Sequence, residues 1–182
     1  MNISDINYLF ALGTVLLQIG TVLLLIAFVM RTRVVGFAQV SELVGNWGLW
    51  VGFLVATFST VLTVYYSDVL GFEPCYWCYW QRIFLFPQVV LLGMAAWKKD
   101  PYIADYALIL SFVGGLVALY HHVMQMLPGS GLPCPATGVS CAQRIFFEFN
   151  YITFPLMAVT VFAFLIVLML HVRSVRAHEM HS

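Results

Sequence analysis

Glu73-Pro74-Cys75-Tyr76-Trp77-Cys78-Tyr79-Trp80-Gln81-Arg82, running on into the apolar stretch Ile83–Trp97, is the segment on which the fold turns. Ile83–Trp97 alone is short for a membrane crossing, since about 20 residues at ~1.5 Å each span a ~30 Å hydrocarbon core. Begun at Tyr79, it reaches spanning length and carries Gln81 and Arg82 in its outermost turn. Four other uncharged apolar stretches need no such extension: Tyr8–Met30, Trp47–Tyr66, Tyr106–Leu127 and Tyr151–Leu170. Each of the five reads as a helix, because an isolated strand cannot satisfy its backbone in lipid.

Composition agrees. The 182 residues are 62% hydrophobic, with eight Lys and Arg, eight Asp and Glu, no net charge and a mean hydropathy of +0.93. A soluble domain carries roughly a quarter charged residues. No basic run suggests a nucleic-acid partner. The expectation is one all-α integral-membrane domain over 1–182. It comprises a four-helix transmembrane bundle over 47–171 and one extra N-terminal span over 8–30.

Basic residues set the expected orientation, since Lys and Arg collect on the cytoplasmic side. Arg31 and Arg33 follow the first span, Lys98 and Lys99 the third, and Arg173 and Arg176 the fifth. Five spans put all three groups on one face, so the N-terminus lies outside and the C-terminus inside. The first span reads as a retained helix, because its positive charges follow the apolar run, the reverse of a secretory signal. Tyr65, Tyr66, Trp77 and Trp80 would form the outer aromatic belt, and Trp47, Trp97 and Tyr102 the inner one. Val34–Asn46 either lies along the cytoplasmic interface or extends the second helix inward. Ile145–Asn150 would rest on the outer interface.

This topology brings both cysteine-bearing loops, Ser67–Cys78 and Pro128–Asn150, to the extracytoplasmic face, where disulfides persist. The four cysteines form two pairs, Cys75/Cys78 and Cys134/Cys141. Two structural disulfides clamping short loops are the plain alternative to redox chemistry. Pro74 suits the approach to a helix, and a thiolate at a helix N-terminus is stabilised by exposed amides and the dipole. Arg82 lies four residues after Cys78, one turn deeper on the same face. A membrane-edge arginine needs compensation, which a thiolate, a quinone carbonyl or a lipid phosphate would supply. Pro87 would kink the helix and open space near the outer leaflet.

Cys134 lies between two prolines in a Pro- and Gly-rich loop, expected to be extended and mobile, which suits an exchangeable disulfide. Zinc held by all four cysteines is disfavoured, because these spacings differ from paired zinc-ribbon spacings. His121 and His122 point about 100° apart on a helix, so at most one faces a given site. His171, His178 and His181 fall at the other end, so a single bis-histidine haem is not supported.

Together, Glu73 to Arg82, then Pro87, Tyr120-His121-His122, Cys134 and Cys141-Ala142-Gln143-Arg144 resemble the bacterial disulfide bond formation protein B family, DsbB-like and including its BdbC-type members. The resemblance implies a multi-pass protein of the bacterial cytoplasmic (inner) membrane, with cysteine loops facing the periplasm or cell exterior. The implied activity is that of a thiol:quinone oxidoreductase in electron transport and disulfide-dependent protein folding. It would reoxidise a DsbA-like thioredoxin-fold thiol oxidase and pass two electrons to ubiquinone or menaquinone from the membrane lipid and quinone pool. Cys75 and Cys78 would be the quinone-proximal pair, with Cys78 meeting the quinone, Arg82 holding its oxygen and His122 nearby. Independently of the resemblance, Trp77, Tyr79 and Trp80 surround the first pair, where aromatics are most often belt residues but could also wall a flat ring-shaped ligand. Cys134 and Cys141 would be the shuttle pair, with Cys134 taking the mixed disulfide and a transient Cys75–Cys141 bridge joining the loops. Two features depart from the pattern: the span 8–30 is additional, and the second pair is closer together. The rival reading is a non-catalytic assembly or transporter subunit. Its spans would carry polar residues mid-bilayer, and here they hold little beyond Gln18 and Gln88. A vitamin K epoxide reductase-like protein fits the cysteine placement less well.

Overall fold

The computed structural model describes residues 3–127, 133–135 and 139–179. Five helices follow one another: α1 (Ile3–Met30), α2 (Val35–Val64), α3 (Tyr76–Lys98), α4 (Ile103–Met126) and α5 (Phe154–Glu179). Among the described residues no strand forms, and only an isolated bridge joins Glu148 to Ile152. The segment after Arg33 extends α2 instead of lying along the surface. α2 ends in a π-helical turn, Tyr65–Val69. The extended course expected for the second cysteine loop falls largely on residues 128–132 and 136–138, outside the described ones.

Four helices are long and apolar enough to cross a membrane: α1, α2 with its π-helical turn, α4 and α5. They make this a multi-pass membrane protein. α3 forms where expected and runs unbroken through Pro87, but Gln81, Arg82, Gln88 and Lys98 leave it less apolar than its neighbours. Leu16, Val22, Leu23, Phe58 and Phe112 stand exposed around the bundle, the surface that lipid covers.

α5 is the hub, packing against α1, α2 and α4, while α3 packs against α2 and α4. The hydrophobic effect does not draw helices together in lipid, so close backbone approach and polar ties must. Both are present. The buried face of α2 is nearly all small residues: Ser41, Gly45, Gly48, Gly52 and Ala56. A Cβ at Gly45 would lie 2.9 Å from the backbone oxygen of His171 on α5. On α4, a Cβ at Gly114 would meet the Phe162 ring on one side and Phe84 Cβ, 2.9 Å away, on the other.

The polar ties cross between helices. His171 is fully buried; its Nδ1 accepts from the Ser41 hydroxyl at 2.8 Å, and its Nε2–H donates to the Leu24 carbonyl at 3.1 Å. One imidazole thus joins α5, α2 and α1. Gln18 Nε2 donates to Thr160 Oγ1 at 3.1 Å, and Ser111 donates to Gln88 Oε1 at 3.0 Å. Tyr66, expected in the outer belt, is instead buried: its ring meets Phe154 at 4.7 Å, and its hydroxyl donates to Asn7 Oδ1 at 2.6 Å. Likewise, within the Ile145–Asn150 run Phe146 turns inward onto Ala11, while Phe147 and Phe149 stay exposed.

The two kinds of glycine should behave oppositely. Gly45→Ala pushes a methyl against backbone and should cost about 1–3 kcal/mol. Gly20 on α1 has open space around it, so Gly20→Ala should stabilise by up to ~1 kcal/mol through helix propensity. Thermal unfolding in detergent measures both, and equal midpoints would contradict this packing.

Candidate active site

The first cysteine pair is shaped by the start of α3. Pro74 delivers an extended Cys75 (φ −72°, ψ 171°) as the N-cap residue. The Cys75 carbonyl accepts the N–H groups of Cys78 at 3.0 Å and Tyr79 at 3.3 Å, winding the first turn. Cys78 therefore returns over Cys75, and the two thiol sulfurs lie 3.1 Å apart. Cys75 is buried, whereas Cys78 is partly open.

His121, near the end of α4 and fully buried, sits over this pair. Its Nδ1 takes a hydrogen bond from the Gln81 amide at 2.9 Å, which leaves the proton on Nε2. That N–H points at Cys75 Sγ, 3.5 Å away, and at the Cys141 carbonyl, 3.1 Å away. The Cys75 thiol is drawn down to about 4, chiefly by the hydrogen bond from Cys78 and next by His121, against the opposing effect of burial. The Cys78 thiol is pushed up by the same hydrogen bond and by burial, so the two sulfurs share one proton.

Cys134 and Cys141 form a disulfide with Cα atoms 6.2 Å apart. Cys141 is 1% exposed and packs with Cys75 and Met124. Cys134 is more open, flanked by exposed Pro133 and Pro135. The Cys141 end of the loop is pinned to the end of α4. The Gln125 amide donates to the Gln143 carbonyl at 3.1 Å, and Arg144 Nε donates to the Gln125 carbonyl at 2.8 Å.

Beneath the first pair opens a cavity of about 630 Å³, lined by Cys75, Cys78, Gln81 and Arg82 together with Glu73, Gln125 and Gln143, and by mostly apolar side chains of α1, α2 and α5. Arg82 donates to the Thr63 carbonyl at 3.0 Å, just before the π-helical turn. Its Nε is buried and has no partner. Among the described residues its charge meets no carboxylate, because the ion pairs formed are those of Arg173 and Arg176 with Asp105.

Other residues singled out in the sequence lie elsewhere. Trp77 packs against Tyr120 with ring centroids 4.8 Å apart and its indole N–H buried without a partner. Trp80 stacks on Phe84 at 6.3 Å, toward the outside. Neither lines the cavity, and nor does His122, whose Nδ1 takes the Thr153 hydroxyl at 2.9 Å. Thr153 in turn caps the start of α5 by accepting from Leu156 N–H at 3.3 Å. Gln81 and Gln125 are functional neighbours the sequence did not single out as such; both lie within helical reach of flagged residues, at Cys78 plus three and His121 plus four. The donor atoms of Cys75, Cys78 and His121 lie within 4.8 Å of one another, a spacing compatible with three ligands of one metal ion. The second cysteine pair, tied in a disulfide, offers no further thiolate.

Two cysteine pairs packed together at one end of an apolar helical bundle define a membrane protein of thiol–disulfide chemistry. The family model for disulfide bond formation protein DsbB matches residues 45–172, and the chain belongs to that family. It is 40% identical over 114 residues to a probable disulfide formation protein of Chlamydia trachomatis, covering 63% of this chain and 83% of the relative. It is 31% identical over 122 residues to disulfide bond formation protein C of Bacillus subtilis, covering 66% and 88%. A prophage-derived disulfide bond formation protein B of the same bacterium is 34% identical over 111 residues, covering 61% and 75%. No solved structure matches. This is a membrane disulfide-formation protein.

The lowered Cys75 value carries a pH signature. Its contribution to the dithiol state is complete above the ordinary thiol value of 9.0 and is lost as pH falls through about 4. Thiolate ultraviolet absorbance of the reduced protein, with Cys134 and Cys141 changed to Ser, should titrate in the acid range. His121→Ala should move that midpoint upward. A midpoint near 9 in both proteins would contradict the assignment.

Proposed function

We propose that the protein is a thiol:quinone oxidoreductase, moving electrons from an extracytoplasmic thioredoxin-fold partner, through Cys134/Cys141 and then Cys75/Cys78, to a membrane quinone. One observation carries this reading: the His121 N–H that faces Cys75 also holds the Cys141 backbone at 3.1 Å, so the two pairs share one support.

The steps balance as successive exchanges. A partner thiolate attacks the more open Cys134 and expels Cys141 as thiolate, and the second partner thiol then releases Cys134. Cys141 attacks Cys75 of a Cys75–Cys78 disulfide and expels Cys78. Cys134 attacks Cys141 and releases Cys75. The partner leaves oxidised, the second pair is again a disulfide, and the first pair is a dithiol. The observed state, with thiols in the first pair and a disulfide in the second, matches the end of that sequence. While Cys75 is bridged to Cys141, Cys78 has no thiolate neighbour and stands as the free thiol above Arg82.

The cavity residues fit a quinone headgroup, because Arg82 presents an unpartnered buried N–H donor where Cys78 also faces. A bound quinone supplies a two-electron, two-proton acceptor. Arg82 would hold its carbonyl, and loss of two electrons from the dithiol closes Cys75–Cys78. An excess of about 30 mV in oxidising power is worth ~1.4 kcal/mol for this couple. We further place the cysteine end outside the cytoplasm, with α3 as a fifth span, the N-terminus out and the C-terminus in. The 47–171 unit forms the reactive core. The basic residues Arg31 and Arg33 just after α1, Lys98 and Lys99 at the end of α3, and Arg173 and Arg176 in the last turns of α5 support that orientation.

With a reduced thioredoxin-fold oxidase and a short-chain quinone, the purified protein should consume quinone and Cys78→Ser should not. Arg82→Ala should slow quinone reduction on the order of 10²-fold, the effect of removing one preorganised donor, while thiol exchange with the partner persists. Wild-type quinone kinetics in Arg82→Ala would remove Arg82 from this role.

A further inference from the structure

The cavity below the cysteines is walled on one side by a helix that the family match does not include. The match begins at residue 45, and α1 ends at Met30. Yet Leu9, Phe10, Gly13, Thr14 and Leu17 of α1 all line the cavity. We propose that α1 is the tail-binding wall of the quinone site, holding the prenyl chain of a long-tailed membrane quinone against Gly13 and thereby selecting for that chain. This rests on the quinone reading above.

Four observations support it. The cavity is amphiphilic in the sense the ligand requires: Cys78, Gln81 and Arg82 gather at one end, and the α1 side is apolar. Thr14 does not break that character, because its hydroxyl is spent on the Phe10 carbonyl at 2.8 Å. The volume, about 630 Å³, falls within the ~300–1,000 Å³ typical of ligand cavities. A Cβ at Gly13 would meet nothing within 4 Å, so the wall is open at that position.

The wall is also fixed in place. Asn7 accepts from Tyr66 at 2.6 Å, Gln18 donates to Thr160 at 3.1 Å, and the Leu24 carbonyl accepts from His171 at 3.1 Å. These ties bracket Leu9–Leu17.

A lipid acyl chain shares the chemistry of a prenyl tail, so the test must separate them. The full-length protein in detergent is labelled with a photoreactive prenyl-tailed quinone, and the labelled peptide is mapped. Label should fall between Leu9 and Leu17. It should be chased by unlabelled tailed quinone and resist tail-less quinone and excess phospholipid. Gly13→Phe should abolish the label and raise KM for the tailed quinone relative to the tail-less one on the order of tenfold, the scale of discrimination by one misfitted group in an apolar pocket. Leu17→Trp repeats the obstruction from a second position if the first variant does not fold. Gly20→Phe has open space beside it and lies off the cavity, and should behave as wild type.

Quinone reduction without α1 labelling would overturn the proposal. So would labelling chased equally by phospholipid, or a Gly13→Phe effect identical for tailed and tail-less quinones. Labelling of α1 in a wild-type protein that reduces no quinone would instead overturn the parent reading.

Discussion

A helical bundle without water inside must satisfy each buried polar group from its own side chains. Here that constraint builds the fold. Gln18, Ser41, Gln88, Ser111, Thr160 and His171 are buried or half-buried polar residues within the apolar helices, and each finds its partner on another helix. The groups left unpartnered mark a different purpose. Thr57 and Thr60 lie within α2, and at the far end Arg176 Nε has no hydrogen bond while Asp105 Oδ1 has only its 3.5 Å ion pair to Arg173. The rest, Trp77 Nε1, Arg82 Nε and Gln125 Oε1, gather around the cysteines. Satisfied polarity holds the helices together.

α3 shows the cost of combining both tasks in one helix. The side chains that lower its apolarity are the ones with assignments: Gln81 orients His121, Arg82 faces the cavity and Gln88 ties α3 to α4. Flanking helices α2 and α4 cover these groups. α3 therefore depends on its neighbours to cover its polar groups, and the bundle depends on it to place the first thiol pair.

The five helices were legible because a spanning stretch is a long one-dimensional signal, and α3 became legible once its start was set by the cysteine pair. The gathering of Cys75, Cys78 and Arg82 at one end of that helix was legible for the same reason, since helical spacing alone implies it. Choosing between His121 and His122 was not. The rotation of α4 decides it, and packing against Phe162 and Phe84 at Gly114 sets that rotation. Tyr66 looked like a belt residue because burial of an interfacial tyrosine depends on what folds over it, here Asn7 and Phe154 from both ends of the chain. Space near the outer leaflet was expected from Pro87, but Pro87 does not line the cavity, which is left between α1, α2, α3 and α5 and has no other sequence signal.

The hub position of α5 sets an order of events during synthesis. α5 is the last of the five helices to leave the ribosome, yet it provides the buried surface for α1, α2 and α4. Until it arrives, the small-residue face of α2 has nothing to close upon, and Ser41 and the Leu24 carbonyl lack their imidazole. Both cysteine pairs, by contrast, are already outside the ribosome. A nascent chain thus carries its four cysteines before it has the scaffold that buries Cys75 and Cys141. The stretch from Cys141 to Phe154, which pins Cys141 to α4 and caps α5 through Thr153, is where thiol protection and completion of the bundle become one event.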